Sequence, residues 1–276
     1  MSHPRLAVFA RQANGQVAPL RVIEGRRTGL SRSTHGIAVD ISNDEIVAPS
    51  NLAAAILTFD RTTSGNAAPV RTIQGPLTRL DSPQGVAIDN VHEEIVVSEE
   101  YKNSILVFHR TAAGNVAPLR EIRGPRTGIA NAQGVAVDPL HGEIIVAVEG
   151  DPQASPPVLP ALLVFPRTAD GDVAPARRIT GPSTGLLRPR QLQLDPERDE
   201  LVLADRGLTQ EFIYDTPGFI AVWKRTDNGD LPPRRLLRGP RSQLTGPRAV
   251  YVDTVNNEIG AGDTTSHAIM VYPRDF

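Results

Sequence analysis

At 276 residues, with 40% hydrophobic residues and a formal net charge of -2, the chain can bury a sizeable core and has no charge excess. That balance leaves no electrostatic footprint for nucleic acid, and no apolar run approaches the roughly 20 residues of a membrane span. There is no cysteine, which excludes disulfides, thiolate metal sites and a cysteine nucleophile without fixing the compartment.

The N-terminus, MSHPRLAVFA, has no charged segment followed by an apolar core. As it stands the chain reads as soluble and cytoplasmic, or as extracellular or periplasmic if a leader has been removed. Two strand-like stretches follow, Leu6 to Phe9 and Leu20 to Glu24. A block of about 49 residues then begins at GIAVD (Gly36 to Asp40) and restarts at GVAID from Gly85, GVAVD from Gly134, QLQLD from Gln191 and AVYVD from Ala249. Each block continues through an acid-led apolar stretch such as EIVVS from Glu94 and an aromatic-ending stretch such as SILVF from Ser104. A Pro-Arg stretch such as APLREI from Ala117 completes it in the blocks that run to full length. Short runs of Val, Ile and Leu predict four strands per block, and no stretch keeps a helical period. Ser64-Gly65-Asn66, Ala113-Gly114-Asn115, Asp170-Gly171-Asp172 and Asn228-Gly229-Asp230 supply the turns between third and fourth strands.

Four antiparallel strands per unit, repeated radially, is the plan of a β-propeller, with an open solenoid as the competing arrangement. The chain ends favour the ring. The N-terminus supplies a third and a fourth strand, and the C-terminus a first, a second and a third, Ala268 to Tyr272. The expectation is one all-β domain over residues 1–276. It is a five-bladed propeller of four-stranded antiparallel blades, with residues 1–25 completing the last blade so that both termini share it. One third strand is then surplus, and must be displaced, add at the rim, or pair with another molecule.

At GVAVD, EIIVA and ILVF the blocks resemble NHL-repeat propellers, with looser similarity to YncE-like and SMP-30/gluconolactonase-like propellers. NHL propellers usually have six blades, against the five counted here. The resemblance implies a propeller that binds other molecules without catalysis. The looser one implies a divalent-metal-dependent lactonase or hydrolase.

Features present in every block serve the blade. Asp40, Asp89, Asp138, Asp195 and Asp253 end the first strands and are predicted to cap the following turns. Glu45, Glu94, Glu143, Glu200 and Glu258 open the second strands. With Arg61, Arg110, Arg167, Arg225 and Arg274 and the fourth-strand Arg71, Arg120 and Arg177, they predict solvated ionic clusters on one rim.

Features that differ between blocks gather on the opposite face, around the channel mouth. His35, Gln84, Gln133, Arg190 and Arg248 stand immediately before the first strands. After the second strands come Ser50 and Asn51, Glu99 and Glu100 with Tyr101 beyond, Val148 and Glu149, Asp205 and Arg206, and Asp263 and Thr264. Two longer loops fall on the same face, Val148 to Pro160 and Asp205 to Gly218, the second carrying Phe212 and Tyr214. Loop ends at a water-filled mouth are polar in any case, but this mixture of charges suggests a polar or zwitterionic ligand.

No GxSxG, HExxH or phosphate-loop motif is present. The expected function is therefore a non-catalytic module binding a small polar ligand or a protein or peptide at the funnel. Its candidate residues are His35, Gln84, Gln133, Arg190, Arg248, Glu99, Tyr101, Glu149, Asp205, Arg206, Tyr214 and Asp263. In the hydrolase alternative, Glu99, Glu149, Asp205 and Asp263 would hold Ca²⁺ or Mg²⁺, hard ions that prefer oxygen ligands. A structural or oligomerising propeller, monomeric or strand-paired, is the third reading, and neither nucleic acid nor membrane is an expected partner.

Overall fold

The computed structural model describes residues 4–32, 34–208 and 216–276. Its strands form an all-β ring of five blades, with short 3-10 turns as the helical elements among the described residues. Blade one is β3 (Ala38–Asp40), β4 (Glu45–Ser50), β5 (Ala55–Asp60) and β6 (Arg71–Gln74). Blade two is β7 (Pro83–Asp89), β8 (Glu94–Glu99), β9 (Ser104–His109) and β10 (Arg120–Arg123); blade three is β11 (Ala132–Asp138), β12 (Glu143–Val148), β13 (Ala161–Pro166) and β14 (Arg177–Thr180). Blade four is β15 (Pro189–Asp195), β16 (Glu200–Leu208), β17 (Thr216–Lys224) and β18 (Arg235–Leu237). Blade five contributes β19 (Pro247–Asp253), β20 (Glu258–Asp263) and β21 (Ala268–Pro273). Strands pair antiparallel in chain order, first to fourth in blades one to four and first to third in blade five.

The first-strand aspartates act as the sequence predicts. Asp89 Oδ1 accepts the N–H of Val91 and of His92, and Asp138 Oδ1 those of Leu140 and His141. The core lies between blades rather than inside one sheet. Ile105, Val107 and Ile122 of blade two, for example, pack on Val135, Ile144 and Phe165 of blade three.

Closure departs from the expectation. The N-terminal strands β1 (Arg5–Val8) and β2 (Arg21–Glu24) pair with each other as a separate two-stranded sheet, and β19, β20 and β21 form a three-stranded one. Among the described residues the termini therefore share no hydrogen-bonded blade. The edge of β2 that a third strand must use is already taken by β1. A local hairpin closes a far shorter loop than a pairing with the C-terminus, so it costs less chain entropy. Leu6 and Ile23 of the hairpin pack against Ile46, Leu57 and Phe59 of blade one. Ile23 also bridges to Gly65, as Ile73 does to Gly114 and Ile122 to Gly171.

The rim clusters are less solvated than predicted. In blades one to three the second-strand glutamate takes an arginine from its own fourth strand and one from the end of the third strand of the next blade. Glu94 pairs with Arg120 and Arg167, each at 2.8 Å, with the glutamate side chain only 7% exposed. Glu45 with Arg71 and Arg110, and Glu143 with Arg177 and Arg225, repeat the pattern. The clusters therefore fasten neighbouring blades to each other. Burial alone would raise the Glu94 carboxyl, but the hydrogen bonds and charges of Arg120 and Arg167 outweigh it and hold it below its ordinary value. Glu94→Ala, which strands two guanidinium groups, is expected to cost about 2–3 kcal/mol by denaturant unfolding. A depressed carboxyl stabilises above its unfolded value and loses that contribution as pH falls, so this cost should vanish well below pH 4.5.

Candidate binding site at the channel mouth

The residues after the second strands divide by position. The polar first members, Ser50, Glu99, Asp205 and Asp263, are spent on the backbone. Glu99 accepts the N–H of Ser82 at 2.8 Å and of Asp81 at 3.1 Å. Asp205 accepts those of Leu187, Arg188 and Gly207 at 2.9–3.0 Å. Asp263 accepts those of Thr245 and Gly246 at 2.8 Å. All three are buried and hold the turn that leads into their own blade's first strand. Burial pushes the Glu99 carboxyl up to about 7 against the pull of those N–H groups. Burial also raises Asp205, whereas at Asp263 the N–H groups of Ser266, Thr245 and Gly246 outweigh burial and lower it. Glu99, Asp205 and Asp263, considered above as metal ligands with Glu149, thus serve three separate turns. Among the described residues no three His, Cys, Asp or Glu side chains converge as metal ligands would.

Among the second members, Asn51, Glu100 and Glu149 instead meet neighbouring blades. Glu100 Oε2 accepts from Gln84 Nε2 at 2.5 Å, and Glu100 Oε1 from Gln133 Nε2 at 3.1 Å. Gln133 Oε1 in turn accepts from Arg190 Nη1 at 2.6 Å, and the same nitrogen forms an ion pair with Glu149. Asn51 donates to Ser82 Oγ at 2.6 Å. A hydrogen-bonded belt therefore links blades one to four. Glu100, not among the candidates drawn from sequence, is the acceptor that gathers the two glutamines.

The belt changes sign around the ring. Its two carboxylates, Glu100 and Glu149, are occupied by the glutamines and by Arg190, while donors accumulate towards blades four, five and one. Burial, followed by the charges of Arg248 and Arg190, pushes His35 down to about 4, so its imidazole is neutral at pH 7. Arg248 Nη1 donates to His35 Nδ1 at 3.4 Å. That bond places the ring proton on Nε2 as a further donor. Burial lowers Arg190 to about 10, and Glu149 opposes a further lowering by Arg248, Arg188 and Arg206. Burial and then Arg206 and Arg188 also lower Arg248. Arg188, Arg190, Arg206 and Arg248 therefore stand close enough to disfavour one another's charge.

Several of these groups line a cavity of about 1640 Å³ that also borders blade five and the N-terminal hairpin. His35, Gln84, Gln133, Arg190 and Arg248 all face it, and Asp263 lies on its wall. Sequence reasoning missed Gln191 and the loop from Phe9 to Val17, which also line it. Nothing in the strand pattern marks a hairpin loop as channel-facing. The two long loops contribute no lining residue among those described. Tyr101 is 73% exposed and outside the cavity; Phe212 and Tyr214 lie outside the described residues.

No protein-family model matches the chain, and comparison with curated proteins gives no match. Among solved structures it is similar to a chain in the crystal structure of a nidogen/laminin complex. They share 18% identity over 87% of this chain and 80% of that one, with a TM-score of 0.55. At that identity the likeness speaks for the propeller fold alone.

Proposed function

We propose that this propeller is a non-catalytic, NHL-like binding module whose channel mouth receives the anionic group of a small polar ligand or of a peptide. One observation carries the reading: Arg190, Arg248 and a neutral His35 line one cavity, where Glu100 is held by two glutamines, Glu149 offsets only Arg190, and Asp263 is tied to its own turn. A charge-assisted contact to preorganised guanidinium groups is stronger than a neutral hydrogen bond, so a carboxylate or phosphate suits this wall better than an amide. A hydrolase holding a divalent ion would need several carboxylates converging on one point, and Glu99, Asp205 and Asp263 are each tied to a different turn.

Thermal-shift titration with citrate and with inorganic phosphate, at ionic strength matched with chloride, tests the reading. Saturable stabilisation is expected, weakened about tenfold in apparent affinity by Arg248→Gln, equivalent to about 1.4 kcal/mol. Identical curves for the two proteins, or no response to either anion, would overturn it. Stabilisation by Ca²⁺ or Mg²⁺, reversed by EDTA, would favour the hydrolase.

A further inference from the structure

The opening between blade five and the hairpin is an inter-blade interface without its second half. Ile269 and Val271 of β21 are 67% and 53% exposed, whereas Ile105 and Val107, at the same positions of β9, are fully buried under blade three. Across the opening, Ile37 and Val39 of blade one are 43% and 51% exposed. In the four complete blades the third strand is covered on its outer edge by a fourth; β21 has no such partner among the described residues. The Glu258 carboxylate, equivalent to Glu94 and Glu143, has no fourth-strand arginine either. It holds Arg11 of the hairpin loop at 2.9 Å, in a pair whose side chains are 48% and 34% exposed. An exposed pair of that kind is easily exchanged.

We propose that the edge of β21 is a docking site for an extended peptide segment of a partner protein, with the pattern Pro-x-Arg-x-Ile or Pro-x-Arg-x-Leu. This site borders the same cavity as the anion-binding wall but uses the β21 edge and Glu258 in place of Arg190, Arg248 and His35. The pattern follows from register and charge. In blades two, three and four the fourth-strand arginine lies opposite a valine of the third strand, Arg120 on Val107, Arg177 on Val164 and Arg235 on Val222. Two residues further on, Ile122, Ile179 and Leu237 lie opposite Ile105, Leu162 and Ile220. Transferred to β21, the arginine falls on Val271 and reaches Glu258, and the aliphatic residue falls on Ile269. A proline two residues before each arginine, as in Pro118-Leu119-Arg120, starts the strand outside the ladder, where no N–H is required. Main-chain bonds along the free edge supply affinity, and the Glu258 contact supplies selectivity. The chain's own copy of the pattern, Pro19 to Ile23, is not available. Its strand β2 is paired with β1, and Ile23 is completely buried against blade one.

Fluorescence anisotropy with a labelled nonapeptide, VAPLREIRG (the sequence of residues 116–124), tests this directly. Saturable binding is expected, weakened about tenfold when the peptide arginine equivalent to Arg120 becomes glutamate, which is about 1.4 kcal/mol. Glu258→Arg should weaken the original peptide similarly and restore the glutamate peptide. The peptide substitution leaves the protein untouched, so the test survives a folding defect in Glu258→Arg. Hydrogen exchange should show residues 268–273 protected only when peptide is bound. No binding, or binding indifferent to both charges, overturns the proposal. So does a free protein whose residues 268–273 are already protected as well as 258–263, because its own chain or a second copy would then hold the edge.

Discussion

Gly134→Ala is expected to destabilise the protein by about 3 kcal/mol, although it adds a single methyl group to a strand. A Cβ at Gly134 would lie 2.5 Å from the carbonyl oxygen of Arg190 and 2.7 Å from the Cα of Gln191, where the first strands of blades three and four meet at the channel wall. Both are backbone atoms, so no rotamer change relieves the contact, and one strand must move within a close-packed ring. Gly85 stands in the same relation to blade three, its Cβ position 2.8 Å from the carbonyl oxygen of Gln133. Gly260→Ala is the control: its added methyl meets nothing closer than 4.0 Å, and the change should stay within about 1 kcal/mol. Denaturant midpoints of the two variants compare them directly, and equal midpoints would show that the inner strands do not approach this closely. Gly134→Ala should also weaken anion binding, since the strand it displaces carries Arg190.

The second large effect is hidden in the wild type. Glu99 is pushed from 4.5 up to about 7, chiefly by burial, so the folded state keeps a proton that the unfolded chain releases. Its contribution to stability therefore falls as pH rises from 4.5 to 7. His35 is pushed from 6.5 down to about 4, so the unfolded chain takes up a proton that the folded state refuses. Its contribution falls as pH drops from 6.5 to 4. Each slope is at most about 1.4 kcal/mol per pH unit, and between pH 4.5 and 6.5 they oppose each other. The profile contributed by this pair is expected to be nearly flat there. Glu99→Gln should uncover the histidine, with stability rising by about 2–3 kcal/mol across that window. His35→Gln should uncover the carboxyl, with stability falling by a similar amount. Parallel profiles for both variants and the wild type would mean that neither group is shifted.

The channel mouth shows where reading the sequence succeeds and where it stops. His35, Gln84, Gln133, Arg190 and Arg248 could be placed at the funnel because each stands one residue before a recognisable first strand, and strand geometry carries that offset into space. The pairs after the second strands were equally visible, but which member faces the channel was not. Alternation along a strand turns successive side chains to opposite sides, and which side faces the channel depends on how the blade is seated in the ring. Glu99 therefore holds a turn while Glu100 collects two glutamines. Tyr101, one residue further, leaves the site altogether.

The rim illustrates the same limit energetically. A Glu and two Arg per blade are legible as a repeat, but exposure is not a property of one strand. The clusters are half-buried because the next blade leans over them, which is why Arg167 of blade three seals Glu94 of blade two.

By itself the sequence determined everything that depends on neighbouring residues: strand period, turn chemistry, the capping aspartates and the number of innermost strands. These need only local geometry, and the repeat states them five times. What only the tertiary structure decided depends on pairs far apart in the chain. The claim of β1 over β21 on the free edge of β2, the crowding of arginines from blades four and five beside His35, and the opening left next to blade five all arise from competition among distant partners. Loop-closure entropy and packing settle that competition, and neither is written in any single block.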